Sequence, residues 1–281
     1  MLTVTDLSFS YTKKPFINNM NFQVQKGEIF GFLGPSGAGK TTLQKILTGL
    51  NASYEGSALL NGVECKNHDS SFYENIGVDF EYPTLYEKLT ARENLNFFSS
   101  LYSKKTRSVT SLLESVDLEQ NGDKKVSEFS KGMRSRLNFI KALLHDPEIL
   151  FLDEPTSGLD PTNSRMMKDL ILSEKQKGKT IFLTTHNMLD ATELCDKVAF
   201  IVDGAIKALD SPRNLIMSRG ASTVKYTFLD GNEQTRECFL AETSNEELLL
   251  KLLKNNHIKS IHSSEPTLND IFIDMTGRTL K

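Results

Sequence analysis

Apolar positions alternate with polar ones at the start of the chain: Leu2, Val4, Leu7, Phe9 and Tyr11, then Phe22 and Val24. A period of two sends successive side chains to opposite faces, so these stretches read as strands. Gly27 marks a turn, and residues 29–33 form a short apolar run suited to a buried strand. A glycine-rich loop follows, then a helix from about Gly39 to near Gly49. From about Ala91 to His145 the period is helical, with Met133, Leu137, Ile140 and Leu144 on one face, until Pro147 stops it. Next come a strand at 149–152, a helix at about 164–177, a strand at 180–184, a helix at about 188–195 and a strand at 197–202. That rhythm predicts an α/β fold with a mainly parallel sheet covered by helices.

After about Arg219 the pattern changes. Residues 224–229 and 236–240 flank Asp230-Gly231, a hairpin signal. Ser244 with Glu247 three residues on predicts a capping box ahead of Leu248, Leu249, Leu250, Leu252 and Leu253. A strand at 258–262 and a helix at about 268–275 complete a small α+β appendix. The expected domains are therefore residues 1–218, with a helical subdomain at about 84–146, and an accessory domain at 219–281.

Bulk properties narrow the function. Of 281 residues, 38% are hydrophobic and 25% charged, as in ordinary globular proteins. The net charge of −3 carries no basic bias, which argues against a nucleic-acid partner. Cys65, Cys195 and Cys238 are odd in number and lack metal-type spacing, which suits reduced thiols. No apolar run approaches the roughly 20 residues of a membrane helix. The opening MLTVTDLSFSY has no basic start followed by an apolar block, so no export signal is expected there. Membrane contact is expected only through a partner.

Residues 34–41 read GPSGAGKT and fit the phosphate-loop template G-x-x-x-x-G-K-[ST]. Gly34, Gly37 and Gly39, with Pro35, Ser36 and Ala38 between them, let the backbone curl its N–H groups around phosphate oxygens. The following helix aims its positive end at the same anion. Lys40 supplies a mobile charge for the β- and γ-phosphates, Thr41 a hydroxyl for Mg²⁺, and Thr42 a further phosphate contact. The bland alternative is a chance glycine-rich turn, but a strand precedes this motif and a helix follows, as the chemistry requires. Downstream, the strand at 149–152 ends in Asp153-Glu154. Ligands of open α/β sheets collect at such carboxyl ends. Asp153 suits Mg²⁺, and Glu154 suits a base that polarises the attacking water. A solvated strand end is the alternative for either acid taken alone.

With these residues in place, the chain resembles the nucleotide-binding subunits of ABC transporters over about residues 2–215, with motifs in the family's order. The resemblance implies a P-loop NTPase fold of ABC ATPase type, a mixed sheet covered by helices, and ATP with Mg²⁺ as cofactors. Phe129-Ser130-Lys131-Gly132-Met133 is similar to the family signature, usually LSGGQ, with Lys131 and Met133 departing from it. Ser130 taken alone reads rather as a helix N-cap, and the place of the segment just before the acidic strand is what turns the reading to the signature. In the family this motif serves ATP bound by a second subunit, so Ser130, Lys131, Gly132 and Met133 are expected nucleotide contacts in a head-to-tail dimer of two copies. Ser157-Gly158-Leu159-Asp160 resembles the loop that crosses that interface, which adds Asp160 to the set. Thr185-His186 resembles the switch-histidine motif, with His186 on the γ-phosphate, and Tyr11 matches the aromatic that stacks on adenine. Glu81 stands where the family carries glutamine, so a carboxylate reaches Mg²⁺ and nucleotide binding should lean more on the cation.

The stretch 82–98 resembles the surface that docks the membrane-spanning permease, with Leu85, Tyr86, Leu89, Leu95, Phe97 and Phe98 as candidate contacts. Residues 265–272 and 276–278 resemble the tail of bacterial drug-export ATPases. The expectation is therefore an ATPase peripheral to the cytoplasmic face of the membrane, energising export of drugs or other small hydrophobic compounds. The alternative is a soluble ABC-type ATPase uncoupled from transport.

Overall fold

Strands and helices alternate through most of the chain in a computed structural model that describes residues 2–12, 14–82, 84–219 and 223–277. The first unit runs to Leu209 and the second begins at Asp210. In chain order the first unit holds β1 (Leu2–Phe9), β2 (Ile17–Val24), β3 (Ile29–Leu33), α1 (Lys40–Leu47), β4 (Glu55–Leu60), β5 (Val63–Glu64), α2 (Ser70–Tyr73) and β6 (Ile76–Asp79). Then come α3 (Ala91–Ser99), α4 (Val109–Glu114), α5 (Lys131–Ala142), β7 (Ile149–Asp153), α6 (Pro161–Gln176), β8 (Thr180–Thr185), α7 (Met188–Leu194), β9 (Lys197–Val202) and β10 (Ala205–Asp210).

Two sheets result. One is antiparallel where β1 pairs with β2 and β4, in the order β2-β1-β4-β5. The other has the order β10-β9-β3-β8-β7-β6, and its strands β9, β3, β8, β7 and β6 run parallel. Strands buried on both faces should be apolar throughout. Accordingly β3 and β7 are buried along their whole length. Phe22 of the first sheet stacks on Phe30 of the second at 5.3 Å, and Phe30 on Phe182 at 5.9 Å. Leu43, Ile46 and Leu47 of α1 join the same core. This packing fixes α1 against the sheet, so the loop after β3 lies beside the carboxyl ends of β7 and β8.

The helical period from Ala91 to His145 is interrupted. It resolves into α3, α4 and α5, each opened by its own cap: Thr90 with Glu93 in a capping box, Ser108, and Ser130. Leu137 and Ile140 are buried as the period requires, whereas Leu144 is buried beyond the end of α5.

The second unit contains α8 (Pro212–Arg219), β11 (Thr223–Asp230), β12 (Asn232–Phe239), α9 (Glu247–Lys254), β13 (Ile258–Ser264) and α10 (Leu268–Thr276). The division between units falls ahead of the expected 218–219 boundary, because α8 packs on α10. The antiparallel order is β12-β11-β13. Gly231, at φ 71°, makes the turn so tight that β12 begins at Asn232 rather than near Arg236. Leu249 and Leu252 pack on Tyr226 and Phe228. The capping box expected at Ser244 does not form: Ser244 lies in a 3-10 segment, Leu240–Asn245, and α9 starts from Glu246 without a side-chain cap. The Glu246 carboxylate instead accepts a hydrogen bond from the Tyr226 hydroxyl at 2.9 Å. A capping box does open α10, between Thr267 and Asp270. Arg278 lies outside the described residues.

Candidate active site

The loop after β3 has the conformation its glycines permit. Gly37 and Gly39 sit at φ 79° and 111°, in the left-handed region that disfavours other residues. Gly34 has no room for a side chain, since a Cβ would lie 2.5 Å from the Ile201 carbonyl oxygen. Gly39 is the N-cap of α1 and supplies no side-chain cap. The first-turn N–H groups of α1 are thus available to an anion from outside the helix.

Lys40 is 9% exposed. Its Nζ donates to the carbonyls of Gly34 at 2.7 Å and Pro35 at 3.3 Å, and lies 4.0 Å from Glu154 Oε1. Burial lowers its pKa, and the carboxylates of Glu154, Asp153 and Glu81 oppose that shift. Thr41 Oγ1 donates to Asp153 Oδ2 at 3.2 Å, and Thr184 Oγ1 donates to the other oxygen of Asp153. Glu154 follows with φ 51°, an uncommon backbone state for a residue with a side chain. Its N–H donates to the Thr184 carbonyl at 3.0 Å, which holds the turn against β8. Its carboxylate accepts from Thr185 Oγ1 at 3.2 Å and lies 2.8 Å from His186 Nδ1.

One cleft of about 290 Å³ collects Ser36, Gly37, Gly39, Lys40, Thr41, Thr42, Glu81, Asp153, Glu154 and His186. Sequence reasoning chose each of these. It missed Phe16, which also lines the cleft. The available signal was an aromatic residue after Pro15 in an otherwise polar connection. Tyr11 stands at the rim: its hydroxyl lies 2.8 Å from Thr42 Oγ1, its ring meets Phe16 edge-on at 5.3 Å, and it is 61% exposed. Among the described residues no cluster of three or more His, Cys, Asp or Glu side chains could hold a metal by itself. A hydroxyl and a carboxylate beside a phosphate cradle do fit Mg²⁺, which commonly takes one or two protein ligands plus substrate phosphates.

Ser130, Lys131, Gly132, Met133 and Asp160 do not join this cleft. Ser130 Oγ accepts from the Met133 N–H at 3.2 Å as the cap of α5. Asp160 caps α6 through the N–H groups of Thr162 at 3.1 Å and Asn163 at 3.0 Å. Lys131 lines a neighbouring cavity of about 510 Å³ together with Glu81, Asp153 and Glu154.

Asp79, at the end of β6, was also missed. It is buried and accepts a hydrogen bond from Asn138 Nδ2. Burial pushes its carboxyl up to about 7, against the pull of the Lys141 ammonium and the Asn138 bond. The folded chain thus holds this proton more tightly than the unfolded chain, whose Asp pKa is about 3.9. Stability from this group is full below pH ~4, declines as pH rises, and is lost above pH ~7. Asp79→Asn keeps an acceptor for Asn138 and cannot ionise. Urea unfolding should find the variant more stable than the parent at pH 8, by at most about 4 kcal/mol, with the gap closing towards pH 4. Equal stability at pH 8 would contradict the assignment.

A sequence profile of the ABC transporter family matches residues 17–157. A fluoroquinolones export ATP-binding protein of Mycobacterium tuberculosis (strain ATCC 25618 / H37Rv) is 46% identical over 284 residues, spanning all of this chain and 94% of its own length. The chain belongs to the ATP-binding subunits of ABC transporters. This ABC subunit is also 33% identical over 301 residues to the Nod factor export ATP-binding protein I of Rhizobium meliloti (strain 1021), covering all of this chain and 89% of that one. Among solved structures it is similar to an ATP-binding subunit of an ABC transporter, with TM-score 0.70 and 29% identity over 77% of this chain and 92% of that one. The fold is shared too with a dimeric ATP-binding cassette carrying ADP and phosphate after hydrolysis, at TM-score 0.67 and 23% identity, covering 75% of this chain and 98% of that one. The chain thus has the ABC ATPase fold, binds ATP and hydrolyses it. Among the described residues no helix of this ABC subunit is long and apolar enough to cross a membrane.

Proposed function

We propose that this ABC subunit energises a drug exporter from the cytoplasmic face of the membrane, with hydrolysis driven by Glu154 as base. The observation that carries the chemistry is the convergence of Lys40, the Thr41–Asp153 pair and the Glu154–His186 pair on one cleft. Lys40 and the phosphate-loop N–H groups hold the β- and γ-phosphates. Bound Mg²⁺ would neutralise phosphate charge beside Thr41, Asp153 and Glu81. Glu154 takes the proton of the attacking water, and His186 orients the carboxylate and reaches the γ-phosphate. Tyr11, with Phe16 beside it, receives the adenine.

The separate position of Ser130, Lys131, Gly132, Met133 and Asp160 supports a second part of the reading. These residues serve ATP held by another ATP-binding subunit, an identical copy, in a head-to-tail pair. A permease would dock against α3 and the segment before it. There Tyr86 meets Phe97 at 5.1 Å and Phe98 at 5.9 Å, and Tyr82, Tyr86 and Phe97 are exposed. Leu95 drops out of that surface because it is fully buried, Leu85 and Leu89 are half-buried, and Pro83 lies outside the described residues.

The relative named for fluoroquinolone export supports the substrate class. Loss of the chain should raise cellular accumulation of a fluorescent fluoroquinolone. The tagged chain should co-purify with an integral membrane protein from mild detergent. Unchanged accumulation, together with recovery of the chain only from the soluble fraction, would remove the export reading.

A further inference from the structure

Asp190 lies in the first turn of α7 and is 4% exposed, an unusual degree of burial for a carboxylate. It does not line the cleft that holds Lys40. Its Oδ2 accepts from Thr156 Oγ1 at 2.6 Å and from Asn187 Nδ2 at 3.0 Å. Its backbone N–H donates to Asn187 Oδ1 at 3.3 Å, and its Oδ1 lies 3.3 Å from Lys168 Nζ on α6. Lys168 is shared with Glu193, at 2.5 Å.

The partners of this carboxylate belong to the two turns that matter most. Thr156 stands two residues after Glu154, in the turn that leaves β7. Asn187 is the neighbour of His186, in the turn that leaves β8. Sheet pairing stops short of Thr156 and Asn187, since β7 ends at Asp153 and β8 at Thr185, with the Glu154 N–H still bonded to the Thr184 carbonyl. Glu154 has a left-handed backbone at φ 51°, and His186 is half-exposed. Such a residue keeps its geometry only when its surroundings over-determine it. Thr185 clasps the turns beside the cleft, by donating to Glu154 Oε2 and accepting from the Asn187 N–H at 3.0 Å. Asp190 clasps them a second time, from the buried side.

We propose that Asp190 is a positioning residue for hydrolysis: by binding Thr156 and Asn187 with one carboxylate oxygen, it fixes the approach of Glu154 to His186. The inference rests on the roles given to Glu154 and His186 under the proposed function. It concerns the catalytic step and not the retention of nucleotide, because neither Thr156 nor Asn187 lines the phosphate cradle. Displacing a reacting group by about 1 Å can cost about 100-fold in rate.

The test compares phosphate release at saturating Mg·ATP with binding of a fluorescent ATP analogue. The full chain is used, with any permease that co-purifies with it. Asp190→Ala should lower turnover by about 10- to 100-fold while the dissociation constant of the analogue stays within about 3-fold. Asp190→Asn retains an oxygen for Thr156 and Asn187 and should recover most of the lost turnover. Thr156→Val removes one hydroxyl and should lower turnover by about 10-fold. The double variant Asp190→Ala/Thr156→Val should be no slower than Asp190→Ala alone, since both changes open the same clasp. Parent-level turnover in Asp190→Ala overturns the proposal, as do additive losses in the double variant. Parallel loss of binding and turnover that Asp190→Asn does not repair also overturns it, because a merely structural role behaves that way. Should Asp190→Ala not fold, Thr156→Val decides: parent-level turnover there sinks the inference. Glu154→Gln serves as the control for the underlying assignment. Normal hydrolysis in that variant removes Glu154 as base, whatever the Asp190 series gives.

Discussion

Glu154→Gln should yield a protein that retains ATP and turns it over at least about 100-fold more slowly than the parent. The substitution preserves shape, so the contacts with Thr185 and the His186 ring lose little. What disappears is the group able to take a proton from water. The phosphate loop is untouched, and binding of a fluorescent ATP analogue should stay within about 3-fold of the parent. With hydrolysis blocked and ATP held, size-exclusion chromatography should show a dimer that persists in Mg·ATP and separates when ATP is withdrawn. Phosphate release at the parent rate would deny Glu154 its role, and a monomer in saturating Mg·ATP would count against the head-to-tail pair.

Lys40→Met is expected to fail one step earlier. A charge-assisted bond to phosphate contributes about 1.5–3 kcal/mol, so affinity for ATP should fall by about 10- to 100-fold. The fold should not suffer. Burial already lowers the pKa of Lys40, which means the folded chain carries this charge at a cost, and Met keeps most of the stem. Calorimetric titration with Mg·ATP and a thermal melt separate the two quantities. Undiminished affinity would remove the ammonium from the phosphate site. A large drop in melting temperature would show that the carbonyl contacts of Lys40 matter to the fold.

The pair of variants divides the site as its residues divide along the sequence. Phosphate-loop residues were legible because the required conformation is local: glycines at fixed offsets, a strand before them and a helix after. Asp153 and Glu154 were legible because they end a strand whose apolar run stops abruptly, and His186 through the resemblance of Thr185-His186 to the switch-histidine motif. Residues that reach the site by tertiary packing were not. Phe16 comes from a connection whose path depends on the pairing of β1 with β2. Thr184, Thr156 and Asp190 are small or polar side chains, and the bonds Thr184–Asp153 and Thr156–Asp190 that tie them to the site join residues 31 and 34 positions apart. Nothing in the local pattern distinguishes them from solvated residues.

The second unit shows the same limit. Its hairpin and final helix were legible from turn and periodicity signals. The capping box at Ser244 did not form, because Tyr226 on a neighbouring strand engages Glu246 and sets where α9 begins. Likewise α8 follows the first unit directly in sequence yet packs on α10.

The resting contacts of Lys40 govern how the site empties once the phosphate bond is cut. A phosphate oxygen that takes the ammonium competes with the carbonyls of Gly34 and Pro35, and those carbonyls can reclaim it when the anion leaves. The charge therefore passes between two hosts and is never stranded in a dry interior. Departure of the anion leaves the ammonium with partners waiting, so letting go of the nucleotide costs less than it would for a charge abandoned without them.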